Sequence, residues 1–186
     1  MARKLVAALF HSVDGVVSHP VWQFDSFDDD LRRRLTESIE TVDDAIMGRV
    51  TYEEWKGYWP DKYPEEDRSF ADFINPLPKH VASRTLTAED MTWNNSHLIT
   101  GELHGFVRAL KASEGRDIAV EGSISVVRDL FLAGLLDELT LITHPVIAGA
   151  GRRLFGADLP TTRLVLLDSV RTEKGNVVST YTLKPS

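Results

Sequence analysis

The sequence predicts an α/β fold, with a central, mostly parallel sheet flanked by helices and an antiparallel hairpin at the carboxyl end. Short apolar segments alternate with segments of helical periodicity along most of the chain, which favours parallel strands joined by crossover helices. Glycines stand at several of the junctions between these segments. The last part instead alternates apolar and polar residues on either side of a Glu-Lys-Gly-Asn turn, the pattern of a hairpin.

The stretch from 117 to 151 gives the clearest unit of this fold. Residues 118–120 form an apolar run typical of a strand buried on both faces, and Ser123 occupies an N-cap position before a helical stripe of apolar residues. Gly134 ends that helix, and residues 139–142 supply the next strand. A strand, a helix and a strand in quick succession predict a right-handed parallel crossover.

The remaining elements follow from the same signals. Asp-Gly at 14–15 marks a turn, residues 16–27 form an aromatic-rich loop that packs down or covers a ligand, and residues 56–69 form an exposed excursion. The predicted strands are 4–10, 45–47, 79–83, 97–100, 118–120, 139–142 and a hairpin at about 164–170 and 177–183, and the predicted helices are about 28–41, 51–55, 70–74, 103–110 and 124–131.

Length, charge and cysteine content exclude several classes of protein. The chain has 186 residues, a length that fits one domain spanning 1–186. The 21 Lys and Arg residues against 28 Asp and Glu give a net charge of −7, which argues against a nucleic-acid partner. The absence of cysteine excludes disulfides and Cys-based zinc sites. The apolar run near the amino terminus is too short for a signal peptide, so we expect a cytoplasmic protein without a membrane partner.

Three predicted strands end in residues suited to a phosphate-bearing ligand: Gly48-Arg49, Ser83-Arg84 and Glu121-Gly122-Ser123. In an open α/β sheet, ligands bind beyond the carboxyl ends of the strands. Arginine binds a terminal phosphate in bidentate fashion, and helix N–H groups hold a pyrophosphate. The pattern favours a dinucleotide site, and the arginines favour NADPH over NADH. The alternatives are that Arg49 and Arg84 pair with acidic residues at the surface and that Ser123 only caps its helix.

Several segments resemble a known family. IMGRVTYEEW at 46–55 and ASRTL at 82–86 resemble the strand-to-helix segment and the adjacent Ser-Arg segment of dihydrofolate reductases. Within 118–155, IAVEGS and GLLDELTLITHPVIAGAGRRLF resemble the reductase domain of the bifunctional riboflavin-biosynthesis deaminase-reductase. With SVDG at 12–15, the resemblance covers nearly the whole chain in order. The chain is identified as a stand-alone member of the riboflavin-reductase (RibD C-terminal domain) family, with a dihydrofolate reductase-like fold.

This resemblance implies an NADPH-dependent reductase of a pyrimidine- or pterin-like heterocycle, similar to 5-amino-6-(5-phosphoribosylamino)uracil reductase, and it implies a homodimer. Glu121 stands where the riboflavin reductases carry a glutamate before two glycines, near the nicotinamide and the substrate. It is the candidate proton relay, and the alternative is that it accepts N–H bonds from a neighbouring turn. The implied cofactor contacts are Gly48, Arg49 and Thr51 for the adenosine-phosphate side, Ser83 and Arg84 for the 2′-phosphate, and Gly122, Ser123, Ile124 and Ser125 for the pyrophosphate.

The chain departs from the family pattern in the motif after Glu121 and on the substrate side. Ser123 replaces the second glycine of the motif, and the candidate substrate contacts are Asp14, Trp22 and Asp25. Asp14 also fits a simple Asp-Gly turn. Asp25 and Asp30 are the candidates for the acid that orients the pterin in dihydrofolate reductases, whereas Asp30 also suits the first turn of a helix. A catalytically idle nucleotide-binding module is the rival to the reductase, because a fold does not decide an activity.

Overall fold

The computed structural model describes residues 3–156 and 159–184. These residues form one sheet of eight strands with helices packed on it, and no helix among them is long and apolar enough to cross a membrane. The strands are β1 (Leu5–Ser12), β2 (Val42–Gly48), β3 (Lys79–Ala82), β4 (Ser96–Leu98), β5 (Asp117–Val120), β6 (Glu138–His144), β7 (Leu164–Arg171) and β8 (Val177–Leu183). The helices are α1 (Gln23–Ser26), α2 (Asp29–Ile39), α3 (Arg49–Trp55), α4 (Arg68–Ile74), α5 (Leu103–Ala112) and α6 (Ile124–Leu132).

The sheet runs in the order β4-β3-β2-β5-β1-β6-β8-β7. The strands from β4 to β6 pair in parallel, and β8 and β7 add an antiparallel hairpin beside β6. This confirms the predicted mixed, mostly parallel α/β sheet. The predicted unit of β5, α6 and β6 is also confirmed as a parallel crossover, with β1 lying between its two strands.

The two faces of the sheet enter separate cores, because side chains alternate along each strand. On β1, Leu5 and Ala7 enter one core, whereas Val6 lies against the other. The first core lies under α5 and α6, and the second lies under α3 and α4. The first core includes Ile118, Val120, Val107, Val127, Leu130 and Phe131, and the second includes Ala45, Met47, Tyr52, Ile74, Val81, Trp93 and Ala119.

The segment at 56–69 is mostly exposed, as predicted, but Trp59 within it packs against its neighbours. Trp59 lies 5.9 Å from Trp55 and 4.7 Å from Phe70, measured between ring centroids, and Phe73 extends the cluster at 5.7 Å from Phe70. We call Trp55, Trp59, Phe70 and Phe73 the aromatic group of α3 and α4. The contact of Trp59 with Phe70 joins residues separated by a polar stretch, so the polar residues between them dominate the pattern.

Candidate functional site

The carboxyl ends of β3, β2 and β5 meet at one edge of the sheet, because these strands are parallel neighbours. There the Gly48 N–H donates to the carbonyl oxygen of Gly122 at 2.9 Å, and the Glu121 N–H donates to the carbonyl oxygen of Ile46 at 2.9 Å. The segment Ser83–Arg84 follows β3 beside them. The structure therefore brings together the three segments that the sequence predicts to share a site.

Both glycines at this edge stand where a side chain would collide with a neighbour. A Cβ atom on Gly48 would overlap Oγ of Ser123 and lie 3.1 Å from its backbone nitrogen. A Cβ atom on Gly122, whose φ is +112°, would lie 2.6 Å from Oγ1 of Thr51. The Gly122–Ser123 peptide bond is cis. Glycine at these two positions thus lets the side chains of Ser123 and Thr51 pack against the main chain at the ends of β2 and β5.

Two helices begin at this edge, α3 after Gly48 and α6 after Ser123. Among the described residues, the N–H groups of Ile124 and Ser125 have no hydrogen-bond acceptor. The predicted capping of α6 by the Ser123 hydroxyl is wrong: the residue holds the N-cap position, but its Oγ makes no cap bond and lies 3.4 Å from Oγ1 of Thr51. Free N–H groups, the positive end of α6 and two hydroxyls therefore converge where an anion fits.

The two candidate phosphate-binding arginines differ in their surroundings. Arg49 donates from Nη1 to Oε2 of Glu53 at 2.5 Å, one turn later on α3. Arg84 is exposed and forms no ion pair with any residue in the described ranges. Its neighbour Ser83 accepts an N–H bond from Thr85 at 3.1 Å, which fixes the turn after β3. Surface pairing, which the sequence left open for both arginines, is therefore present at Arg49.

Glu121 is the titratable group that follows β5. Its side chain is partly buried, and the loss of hydration raises the pKa of Glu121 to about 7. Desolvation is the only cause of this shift, and no described residue donates a hydrogen bond to the carboxylate. A carboxyl group with a pKa near neutrality gains and loses a proton readily at physiological pH, as a general acid must.

Ala8 marks an open position in the middle of the sheet. β1 is a central strand, yet Ala8 is exposed while Ala7 is buried on the other face. On the same face as Ala8, Val6 packs against the second core, and Phe10 packs against Phe27 with ring centroids 6.2 Å apart. Ala8 thus lies exposed between two packed residues of the same strand face.

Ala8 lies beside the edge of the sheet that carries Gly48 and Gly122. Val6 on β1 pairs with Ala119 on β5, so two residues further along both strands Ala8 stands level with Glu121. On its other side, Ala8 pairs with Thr140 of β6. Ala8 and Thr140 are not among the residues that the sequence predicts for a site. The small residue within an apolar strand was the only signal, and its exposure depends on how the helices pack.

Trp22 and Asp25 lie away from Glu121 and the glycine edge. They line an open cavity of about 410 Å³, together with Ser26, Pro145, Val146 and Lys174. Trp22 packs edge-on against His144, with ring centroids 5.3 Å apart, and His144 pairs with Ser12 at the end of β1. That end is about 13 Å along the strand from Ala8, at 3.3 Å per residue. The structure therefore does not bring Trp22 and Asp25 together with Glu121.

His144 anchors this second region. It is fully buried, and its Nδ1 lies 2.6 Å from Oγ of Ser26. Burial, and to a smaller extent the nearby His11, lowers the pKa of His144 to about 4, so the ring is neutral at physiological pH. Its position fixes α1 against the sheet.

Asp14 joins two loops. Its carboxylate accepts N–H bonds from Ala148 at 2.9 Å and Gly149 at 3.0 Å, and a hydroxyl bond from Ser12 at 2.6 Å. These bonds, the one from Ser12 first, lower the pKa of Asp14 to about 2. The structure thus supports the turn role of Asp14, and the side chain ties the loop after β1 to the loop after β6.

The strand order, with its parallel strands and carboxyl-terminal antiparallel hairpin, defines an α/β protein with a dihydrofolate reductase-like fold. The dihydrofolate reductase of Enterococcus faecalis, solved in complex with NADP(H), superposes with a TM-score of 0.61 over 100% of both chains at 13% identity. The chain belongs to the RibD C-terminal domain family, whose family model matches residues 3–178. This confirms the family and the fold that the sequence motifs indicate.

Two further relatives agree with this assignment. A pyrimidine reductase-like protein of Corynebacterium diphtheriae superposes with a TM-score of 0.68 at 19% identity, covering 99% of this chain and 93% of that one. The Bacillus subtilis (strain 168) protein YyaP is 27% identical over 154 residues, covering 82% of this chain and 80% of its own length.

Proposed function

We propose that the protein is an NADPH-dependent reductase that transfers hydride to a C=N or C=O bond of a pyrimidine- or pterin-like heterocycle. Its family and fold support this class of activity. The observation that carries the proposal is the position of Glu121, a carboxyl group with a pKa near 7 that directly precedes the turn at Gly122. A proton donor and a cofactor edge therefore lie side by side.

The residues at this edge fit NADPH. The free N–H groups of Ile124 and Ser125 would bind the pyrophosphate, with the hydroxyls of Ser123 and Thr51 as further donors. The exposed guanidinium of Arg84 would bind the 2′-phosphate. Gly48 and Gly122 let Ser123 and Thr51 pack close to the main chain here, and Arg49 would assist on the adenosine side once it leaves Glu53.

The cofactor and the protein side chains would supply different parts of the reaction. When bound, NADPH supplies the hydride. Hydride addition to a C=N or C=O bond leaves negative charge on nitrogen or oxygen, which one proton must neutralise. Protonated Glu121 donates that proton and regains one from water, and its pKa near neutrality suits both steps. The exposed Ala8 lies level with Glu121 on β1.

A second candidate function is an idle nucleotide-binding module. The positions of the other predicted substrate residues favour it, because Trp22 and Asp25 line a separate cavity and Asp14 binds loop N–H groups. Asp30, the remaining candidate for a pterin-orienting acid, pairs with Arg33 on its own helix. An acid that pairs locally in this way supports helix stability rather than substrate binding.

A screen of thermal shift and turnover decides between the two. We expect NADPH to raise the melting temperature more than NADH, and we expect NADPH oxidation with dihydrofolate or with 5-amino-6-(5-phosphoribosylamino)uracil. Binding of NADPH without oxidation in the presence of either substrate would favour the idle module. Absence of any NADPH binding would contradict both candidates.

We propose further that the protein is a homodimer joined through β7. This edge strand exposes four successive apolar residues, of which Leu166 and Leu167 are 54% and 50% exposed. An exposed apolar edge strand of this kind tends to pair with a second strand. Antiparallel pairing with a second copy would also bring Arg163 towards Asp168 of the other chain, since the two residues flank the apolar run.

Light scattering tests the dimer. The wild type is expected to be a dimer and Leu166→Glu a monomer. A wild-type monomer at micromolar concentration would contradict this.

A further inference from the structure

The open cavity of about 410 Å³ at the carboxyl end of β1 lies between three segments of the chain. Its lining comes from α1 with its N-cap, from the residues after β6 and from the β7–β8 turn, namely Trp22, Asp25, Ser26, Pro145, Val146 and Lys174. A volume of this size falls within the range of small-molecule sites, roughly 300–1,000 Å³. The reductase proposed above does not use this cavity.

Hydrogen bonds tie the walls of the cavity to one another. The side-chain amide of Asn176 donates to the carbonyl oxygen of Ser26 at 2.7 Å, and the Lys174 N–H donates to the carboxylate of Asp28 at 2.7 Å. Oγ of Ser26 also lies 2.6 Å from Nδ1 of His144. These bonds link α1, the β7–β8 turn and the end of β6, so the cavity is formed before any ligand binds.

Buried polar groups around the cavity retain unused hydrogen-bonding capacity. His144 and Asn176 are fully buried, yet Nε2 of His144 and Oδ1 of Asn176 have no hydrogen-bond partner among the described residues. The buried Oε1 of Gln23, next to Trp22 in the chain, also has none. Three of the five such atoms in the described ranges thus belong to residues that adjoin the lining. Unpartnered buried polar atoms are destabilising, so their concentration here indicates a place for a further polar partner.

The two charged groups of the lining are opposite in sign and do not pair. The carboxylate of Asp25 forms no hydrogen bond or ion pair with any residue that the structure describes. The Lys174 ammonium group donates to the carbonyl oxygen of Phe27 at 3.2 Å and has no ion-pair partner in the same ranges. Because Phe27 is only two residues after Asp25, the two charges lie near each other without contact. A ligand that carries both a positive and a negative group satisfies both of them.

Trp22 supplies the main apolar surface of the cavity. Its ring is held edge-on against His144, with ring centroids 5.3 Å apart, and is only partly buried. Pro145 and Val146 add apolar surface on the side of β6. An indole ring in a fixed orientation favours contact with a flat or bulky apolar group of a ligand.

We propose that this cavity binds a free α-amino acid with an aromatic or large apolar side chain. The ligand's ammonium group lies at Asp25 and its carboxylate lies at Lys174, while its side chain packs on Trp22. This binding does not depend on the reductase activity, and it applies equally to a catalytically idle protein.

Three probes that share a phenyl ring test the two charged contacts. L-Phenylalanine carries both charges, phenethylamine lacks the carboxylate, and hydrocinnamate lacks the ammonium group. In calorimetric titration of the wild type, each singly charged probe is expected to bind at least about tenfold more weakly than L-phenylalanine, because it leaves one charge of the lining unpaired. Absence of L-phenylalanine binding at millimolar concentration, or equal affinity for the three probes, would overturn the proposal.

Two variants assign each contact to its residue. Asp25→Asn is expected to weaken L-phenylalanine and phenethylamine by about tenfold or more and to leave hydrocinnamate unchanged. Lys174→Gln is expected to weaken L-phenylalanine and hydrocinnamate by a similar factor and to leave phenethylamine unchanged. Asp25 and Lys174 are both exposed, so we expect the melting temperatures of the variants to match that of the wild type.

Matched controls come from the adjacent residues. Asp29→Asn and Glu173→Gln remove the same charges from exposed positions that do not line the cavity, and they are expected to bind all three probes like the wild type. If Asp25→Asn or Lys174→Gln binds L-phenylalanine as tightly as its control does, the assigned contact does not exist and the proposal is overturned.

NADPH tests whether the amino acid lies outside the glycine edge. The Kd for L-phenylalanine is expected to change by less than about twofold in saturating NADPH, because Asp25 and Lys174 lie away from Gly48 and Gly122. Competition between the two ligands would place the amino acid at the glycine edge and would overturn the proposed site. A protein that binds L-phenylalanine as described but does not oxidise NADPH would support this site while the reductase proposal fails.

Discussion

The backbone N–H of Gly48 and the carbonyl oxygen of Gly122 share a hydrogen bond of 2.9 Å that joins the turn after β2 to the turn after β5. This bond holds both glycine turns in one fixed arrangement, with Thr51 packed over Gly122. If this edge binds the proposed cofactor, no binding energy is needed to order its main chain. The edge therefore depends on the absence of side chains at two positions.

Gly122→Ala should remove this edge. The added Cβ atom would lie 2.6 Å from Oγ1 of Thr51, at a residue whose φ is +112°. We expect a loss of stability of about 1–3 kcal/mol and a fall in NADPH affinity of at least about tenfold. Gly134→Ala is the control, because φ there is +68° but no atom lies within 4 Å of the added Cβ. Calorimetric titration of both variants measures the effect, and unchanged NADPH affinity in Gly122→Ala would contradict it.

Arg84→Ala should reduce the preference for NADPH over NADH. A charge-assisted bond to the 2′-phosphate is worth about 1.5–3 kcal/mol, which corresponds to roughly a 10- to 100-fold loss of NADPH affinity. NADH affinity is expected to stay unchanged, because NADH lacks that phosphate. Arg49→Ala should have a smaller effect, since Arg49 already pairs with Glu53. Equal dissociation constants for NADPH and NADH in the wild type would remove the basis of this prediction.

The meeting of the ends of β2, β3 and β5 at one edge could be predicted from the sequence because its signals are local. Gly48, Gly122 and Ser123 stand at strand-to-helix junctions, and parallel pairing alone places the ends of neighbouring strands at one edge. The side-chain partners could not be predicted in the same way. The pairing of Arg49 with Glu53 and the contact of Ser123 with Thr51 depend on rotamers and on packing between α3 and α6.

The separation of Trp22 and Asp25 from Glu121 could not be predicted from the sequence, for a geometric reason. β1 and β6 have 8 and 7 residues, whereas β5 has 4. Residues after β1, such as Trp22, therefore start well beyond the level of Glu121, although the sequence suggests that all strand ends converge. The exposure of Ala8 likewise arises from where α3 and α4 end and where Phe27 packs, which no pattern within β1 records.

Asp14→Ala should loosen two loops while leaving the cofactor edge intact. The carboxylate accepts N–H bonds from Ala148 and Gly149, so we expect hydrogen exchange at these two amides to accelerate by at least about tenfold. NADPH affinity should change by less than about twofold, because Asp14 lies outside the glycine edge. Asp14→Asn, which keeps one acceptor oxygen, should give an intermediate rate. Unchanged exchange in Asp14→Ala would show that other bonds hold these loops.

Glu121→Gln should separate catalysis from cofactor binding. If Glu121 donates the proton, turnover of the true substrate should fall about 100-fold while NADPH affinity changes little. In the wild type, kcat should fall as the pH rises through about 7, because the carboxyl group must be protonated to act and its pKa is about 7. In Glu121→Gln this pH dependence should disappear. A variant that keeps full turnover, or one that loses NADPH binding and stability together, would place Glu121 in the scaffold.

The raised pKa of Glu121 also predicts a pH dependence of the free energy of unfolding, which can be measured without a substrate. Burial raises the pKa of Glu121 from 4.5 to about 7, so between these values the folded state binds more protons than the unfolded state. The contribution of Glu121 to the free energy of unfolding is therefore most favourable below about pH 4.5 and decreases as the pH rises towards 7, by at most about 3 kcal/mol. Glu121→Gln lacks this titration and should gain stability relative to the wild type across that interval. Denaturant unfolding at pH 5 and pH 8 measures the difference. If the two proteins differ by the same amount at both pH values, the carboxyl group is hydrated in the folded protein and cannot hold its proton near neutrality as the proposed proton transfer requires.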